Sequence, residues 1–151
     1  MRKLILALPC FMLIGCGEST DLGGGYFINK TDEDHVYISK KENGKSFVVI
    51  EEQVVDWGRF DGYIAVLRKV AISPDCYDDK GRRTIITHYS DESQFWIINL
   101  KDSVEAGPFS ESEYREELKK LGVRYVNLDV PKDYVSNSEQ FEKIKKNCLV
   151  K

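Results

Sequence analysis

Four cysteines, two histidines and a few serines set beside carboxylates are the residues of this 151-residue chain with chemistry to offer. A thiol can attack as a thiolate, ligate a metal or oxidise to a disulfide, and its neighbours decide which. Cys10, Cys16, Cys76 and Cys148 are widely spaced. His35 and His88 do not complete a Cys/His set with them, so no zinc or haem centre is expected. His88 stands beside Ser90 and Asp91. These are the residue types of a hydrolytic triad, but there is no Gly-x-Ser-x-Gly elbow, and neighbours along one strand seldom converge into a triad. The run Asp75-Cys76-Tyr77-Asp78-Asp79 is rich in hard oxygen donors. It lacks the spaced ligands and closing Glu of a calcium loop. No catalytic residue, no metal site and no cofactor is therefore expected, and the chain does not read as an enzyme.

The N-terminal cysteines have a different setting. Arg2 and Lys3 precede an apolar run from Leu4 to Ile14. Such a run is about half of what a helix needs to span a bilayer, but it suits the apolar region of a signal peptide. It ends in Leu13-Ile14-Gly15-Cys16, which resembles the lipobox of bacterial lipoproteins. The resemblance implies that the Cys16 thiol takes a diacylglyceryl group as a thioether and that residues 1–15 are cut away as a signal peptide. Small Gly15 leaves room for the peptidase at the bond. Two or more acyl chains make a stable anchor, whereas one is marginal. The segment GESTDLGGG, Gly17 to Gly25, reads as a flexible tether, so residues 16–25 are expected to join lipid to domain. Gly17, where lipoproteins retained in the inner membrane tend to carry Asp, favours the outer membrane in a host that has one. The remaining residues, 26–151, are expected to form a single α+β domain on the periplasmic side.

An oxidising compartment bears on the other two thiols. With Cys10 removed and Cys16 lipidated, Cys76 and Cys148 are left as an even pair, and a disulfide between them is expected. It would close a loop of about 73 residues, for which chain entropy gives about 4 kcal/mol. The composition, 42% apolar and 31% charged, is neither that of a membrane bundle nor that of a disordered chain. A net charge of −3 argues against a phosphate-backbone partner. The basic spot at Lys80, Arg82 and Arg83 is too short to change that, so no nucleic acid is expected.

The elements follow from patterning. Tyr26–Asn29 and His35–Ser39 read as strands, and Asn43-Gly44 as a hairpin turn leading to Phe47–Ile50. Val54–Trp57 and Tyr63–Ile72 read as strands around Gly58–Gly62. Tyr63, Ala65 and Leu67 then lie on one face and Ile64, Val66 and Arg68 on the other. A charged loop, Cys76–Arg83, precedes two strands, Thr84–Tyr89 and Gln94–Leu100, with a turn at Ser90–Ser93. The second is apolar on both faces, with Phe95 and Ile97 on one and Trp96, Ile98 and Leu100 on the other, which suits a central strand. Ser110-x-x-Glu113 is a capping box opening a helix to Leu121, with Gly122 as its stop. Val123–Leu128 reads as a strand, and Ser136–Asn147 as a second helix with Phe141, Ile144 and Cys148 on one face. The expected fold class is α+β: an antiparallel sheet of about six or seven strands with two helices in the C-terminal third.

Trp57, Phe60 and Tyr63 flank the Gly58–Gly62 turn, and aromatics at a loop tip are candidate anchors for a protein partner. The run Phe95–Leu100, then Gly107-Pro108-Phe109 and Ser110-x-x-x-Tyr114-x-x-x-Leu118-x-x-Leu121-Gly122, resembles a group of small uncharacterised bacterial lipoproteins. Leu22-Gly23-Gly24-Gly25-Tyr26 matches their early segment. The group has no assigned activity, so the resemblance supports the lipid anchor and implies no catalytic residue. The function expected is that of a membrane-anchored, non-enzymatic protein-binding module, most specifically an immunity or inhibitor protein against a periplasmic toxin or lytic enzyme. A housekeeping role in envelope assembly is the alternative, and an envelope enzyme with an unfamiliar site is a weaker one.

Overall fold

The computed structural model describes residues 17–31, 35–73, 75–77, 80–85, 87–123, 126–132, 134, 136 and 141–142. The elements run β1 (Glu18–Gly23), β2 (Tyr26–Lys30), β3 (Val36–Glu42), β4 (Lys45–Ile50), β5 (Val54–Phe60), β6 (Tyr63–Ile72), β7 (Asp75–Tyr77), β8 (Arg83–Ile85), β9 (His88–Asn99), β10 (Val104–Phe109) and α1 (Glu111–Lys120). Two antiparallel four-stranded sheets carry the fold, one ordered β1-β2-β3-β4 and the other β10-β9-β6-β5; β7 and β8 form a small ribbon.

Alternation along the strands explains how these elements stack. Leu22, Tyr26, Ile38 and Ile50 of the first sheet meet Val54, Ile64, Val66 and Ile98 of the second. The other face of the second sheet, through Ala65, Leu67, Phe95 and Ile97, packs on Tyr114 and Leu118 of α1 and on Leu128. The second sheet is thus covered on both faces, in a sheet–sheet–helix stack. Burying each such aliphatic side chain contributes about 1.5–3 kcal/mol.

The expected class, a single sheet of six or seven strands with two helices, is corrected. The molecule is mostly β, with two four-stranded sheets; α1 is the one full helix, and Phe141 and Glu142 are the other helical positions among the described residues. The apolar alternation placed the faces of β6 and β9 but did not reveal that a second sheet covers one of them. The second expected helix, Ser136–Asn147, lies largely outside the described residues. No strand occupies the described part of Val123–Leu128.

The tether reading also needs correction. Residues 18–23 are β1, paired with β2 from Glu18↔Lys30 to Gly23↔Tyr26, and Leu22 is fully buried. The glycines after it form a tight turn, not a linker. Gly25 has φ +84, and a Cβ there would sit 3.0 Å from the Lys41 carbonyl. Polar edge strands carry little intrinsic β preference, and pairing with a neighbour overrides it.

The Ser90–Ser93 turn is absent as well, because β9 runs through it. Lys69 pairs with Ser93 and Ala71 with Tyr89, so β9 takes up extra residues here as a bulge. Part of the charged loop Cys76–Arg83 belongs to the β7–β8 ribbon. Two local readings hold. Asn43 and Gly44 take φ of 50° and 76° in the β3–β4 turn. Ser110 caps α1, accepting from the Glu113 N–H while the Glu113 side chain accepts from the Ser110 N–H.

Candidate functional site

The three aromatics expected to form one anchor are divided between two faces. Trp57 pairs with Val66 and packs on the inter-sheet core. Phe60 pairs with Tyr63 across the Asp61-Gly62 turn and faces the helix side. Their rings stack with centroids 5.5 Å apart. β5 runs on to Phe60, so the turn is two residues long instead of the expected Gly58–Gly62, and side chains three apart on a strand point to opposite faces.

Tyr63 leads to an exposed apolar feature of the helix side. A groove of about 320 Å³ lies between the end of α1 and the β9–β10 hairpin, floored by Ile97, Ala106 and Phe109 and walled by Tyr63, Val104 and Leu121. Val104 and Leu121 are 54% and 38% exposed. Asn99, Asp102 and Glu117 supply its polar rim. Local chemistry shapes both walls. The Asn99 side-chain oxygen Oδ1 accepts from the N–H groups of Lys101 and Asp102, and its Nδ2 donates to the Asp102 carboxylate at 2.9 Å, fastening the hairpin tip. On the other wall the Leu121 N–H donates to the Glu117 carbonyl and the Val123 N–H to that of Leu118, which ends the helix. Sequence reading missed the groove because its residues come from four separate elements. The available signal was Val104 and Leu121, two aliphatic side chains beside the polar runs Lys101–Ser103 and Lys119-Lys120.

A second cavity, of about 330 Å³, lies under the first turns of α1 and is more polar, with Ser93, Glu111, Arg115 and Asp129 among its lining residues. Arg115 and Glu111 are paired on the same helix face. Beyond it Lys69 is buried on β6, donating to the Asp91 carbonyl at 2.7 Å and to the Ser93 hydroxyl at 3.0 Å, with its ammonium over the Tyr134 ring. A lysine beside a serine can serve as base and nucleophile only if the lysine is neutral and accepts the serine proton. Here the same nitrogen also lies on the Asp91 carbonyl, so the contact reaches the backbone of β9 as well as the hydroxyl. The contact pegs the β9 bulge to β6.

The other candidates are dispersed. His35 faces Glu52 at 3.4 Å, at one end of the molecule. His88 stacks on Phe141 at 4.4 Å. Among the described residues no three His, Cys, Asp or Glu side chains converge as metal ligands, and no helix is long and apolar enough to cross a membrane. Cys76 is buried and disulfide-bonded, while Cys148 and Cys16 lie outside the described residues.

Residues 23–132 match the model of the DUF3997 family, described as proteins of unknown function, and the chain belongs to that family. The match takes in β2 to β10, α1 and every residue of the groove. No curated protein and no solved structure shows significant similarity to the chain.

Proposed function

We propose that the protein is a membrane-anchored extracytoplasmic lipoprotein that works as a non-enzymatic protein-binding module, most specifically as an immunity or inhibitor protein against a periplasmic toxin or lytic enzyme. The supporting observation is the groove beside Val104 and Leu121. An apolar pocket with few polar groups at its rim is the form that binding sites commonly take. Its size suits one or two anchoring side chains, and such anchors carry most of the energy of a protein interface. Asp102 and Glu117 at the rim, on an acidic chain, favour a partner whose apolar anchor is flanked by Lys or Arg. Phe60 stays in the reading as support for Tyr63, and Trp57 leaves it.

The test is affinity capture of the tagged protein from membranes, comparing wild type with Val104→Asp and Leu121→Asp. A basic protein recovered with the wild type and lost with both variants supports the reading. Equal recovery with all three removes the groove from it. A hydrolase reading would rest on Lys69 and Ser93, and ester or peptide hydrolysis that disappears in Ser93→Ala would favour it.

A further inference from the structure

We infer that the sandwich stands directly on the bilayer with the end that carries Lys30 and His35 against the lipid headgroups, and that the groove opens away from the membrane. This rests on lipidation of Cys16. Gly17, the next residue, already lies alongside the sheet: a Cβ on it would sit 3.5 Å from the Lys30 carbonyl. Consecutive Cα atoms are about 3.8 Å apart, so Glu18, the first residue of β1, lies within about 7 Å of the lipidated residue. The headgroup layer is itself about 5–7 Å thick on each side of the hydrocarbon. There is no slack to take up, because β1 is paired along its length and Leu22 is sealed in the inter-sheet core.

Strand register then determines what else meets the lipid. Glu18 pairs with Lys30, and Lys30 with Val36. The Thr31 N–H donates to the His35 carbonyl, and His35 reaches Glu52 just beyond the end of β4. Glu18, Lys30, Thr31, His35 and Glu52 therefore share the anchored end. Glu18 and Glu52 outnumber Lys30 among them, and the sequence between Thr31 and His35 is Asp32-Glu33-Asp34, so the short leash, not adsorption, holds this end down. The opposite end carries the Gly23–Gly25 and Asn43–Gly44 turns, where the Lys41 N–H donates to the Gly25 carbonyl. A Cβ on Gly24 would sit 3.1 Å from Leu100, and Lys40 reaches the Ser103 carbonyl, so the β9–β10 tip and its groove belong to that far end. Strands of this length rise about 20 Å.

The full lipidated chain, reconstituted in phosphatidylethanolamine–phosphatidylglycerol vesicles, tests this. A fluorescent amino acid is placed at Thr31 or at Lys45, both exposed, and nitroxide is carried on the lipid headgroup. Quenching is expected at Thr31 and not at Lys45. A long Gly/Ser insertion between Gly17 and Glu18 should abolish the difference. Equal quenching at both positions in the uninserted, lipidated protein overturns the orientation alone. Failure of the wild type to incorporate labelled fatty acid overturns the lipid anchor and the orientation with it.

Discussion

The Tyr26 hydroxyl donates to the Glu105 carboxylate across the boundary between the two sheets. The tyrosine is wholly buried, and Lys40 sits over its ring and 3.9 Å from the same carboxylate. Burial first, and then the bond to Glu105, hold the Tyr26 phenol well above its ordinary range.

This bond has a pH signature. A tyrosine ionises near pH 10 in the unfolded chain, and Tyr26 resists ionisation in the folded one. Its contribution is fully present below about pH 10 and is lost as pH rises further, because the unfolded state then binds fewer protons. Thermal melts between neutral and strongly alkaline pH should show a steeper alkaline loss for wild type than for Tyr26→Phe. Near neutral pH the variant should be less stable by about 1–3 kcal/mol, since Glu105 keeps its partly buried position without its phenolic donor.

Gly107 is irreplaceable on steric grounds. Its φ is +141, and a Cβ there would sit 2.8 Å from the Trp96 ring and 2.9 Å from the Phe95 carbonyl. Gly107→Ala should cost about 2 kcal/mol or more, from strained backbone and displaced core. Denaturant titration checks this, and an unchanged midpoint would contradict it.

Trp57 and Phe60 should now behave differently. Trp57→Ala opens the inter-sheet core and should destabilise by about 3 kcal/mol. Phe60→Ala loses the stack on Tyr63, worth about 1 kcal/mol beyond its buried area, and should weaken partner capture more than it lowers the melting temperature. The reverse ranking would return the binding role to Trp57.

Lys69→Met strands the Asp91 carbonyl at the β9 bulge and should cost about 1–3 kcal/mol, whereas Ser93→Ala, at a half-buried hydroxyl, should cost less than about 1 kcal/mol. Calorimetry of the two variants separates a structural peg from a catalytic pair, in which both would spare stability and abolish turnover.

The disulfide at Cys76 should join it to Cys148. Non-reducing peptide mapping should recover the two cysteines in one linked fragment, and Cys148→Ser should release one thiol on denaturation. A Cys76 linked to any other cysteine would refute the pairing.

Local signals in the sequence carried further than global ones. The φ demanded at Asn43-Gly44, the reciprocal bonds of Ser110 and Glu113, and the two-faced apolar pattern of Phe95–Leu100 each depend on neighbouring residues alone. The same pattern made β9 central but could not say whether helix or sheet covered it, since Ile64 and Val66 look alike under either. Glu18–Gly23 read as linker because small polar residues suit both a tether and an edge strand; the burial of Leu22 decides, and that depends on Ile38 and Ile98. The groove was illegible for a similar reason. Val104 opens β10 and Leu121 follows α1, and only the stacking of α1 on the second sheet places them together.

The short connection into β1 has a mechanical meaning. A partner gripping the far end of the molecule, against lipid holding the near end, would draw β1 along its own axis. The ladder from Glu18↔Lys30 to Gly23↔Tyr26 is then loaded in shear, with its hydrogen bonds sharing the strain together. Traction across the sheet would instead open the same ladder one bond at a time, like a zip. Under axial pull on the proposed anchor the domain would resist as one body.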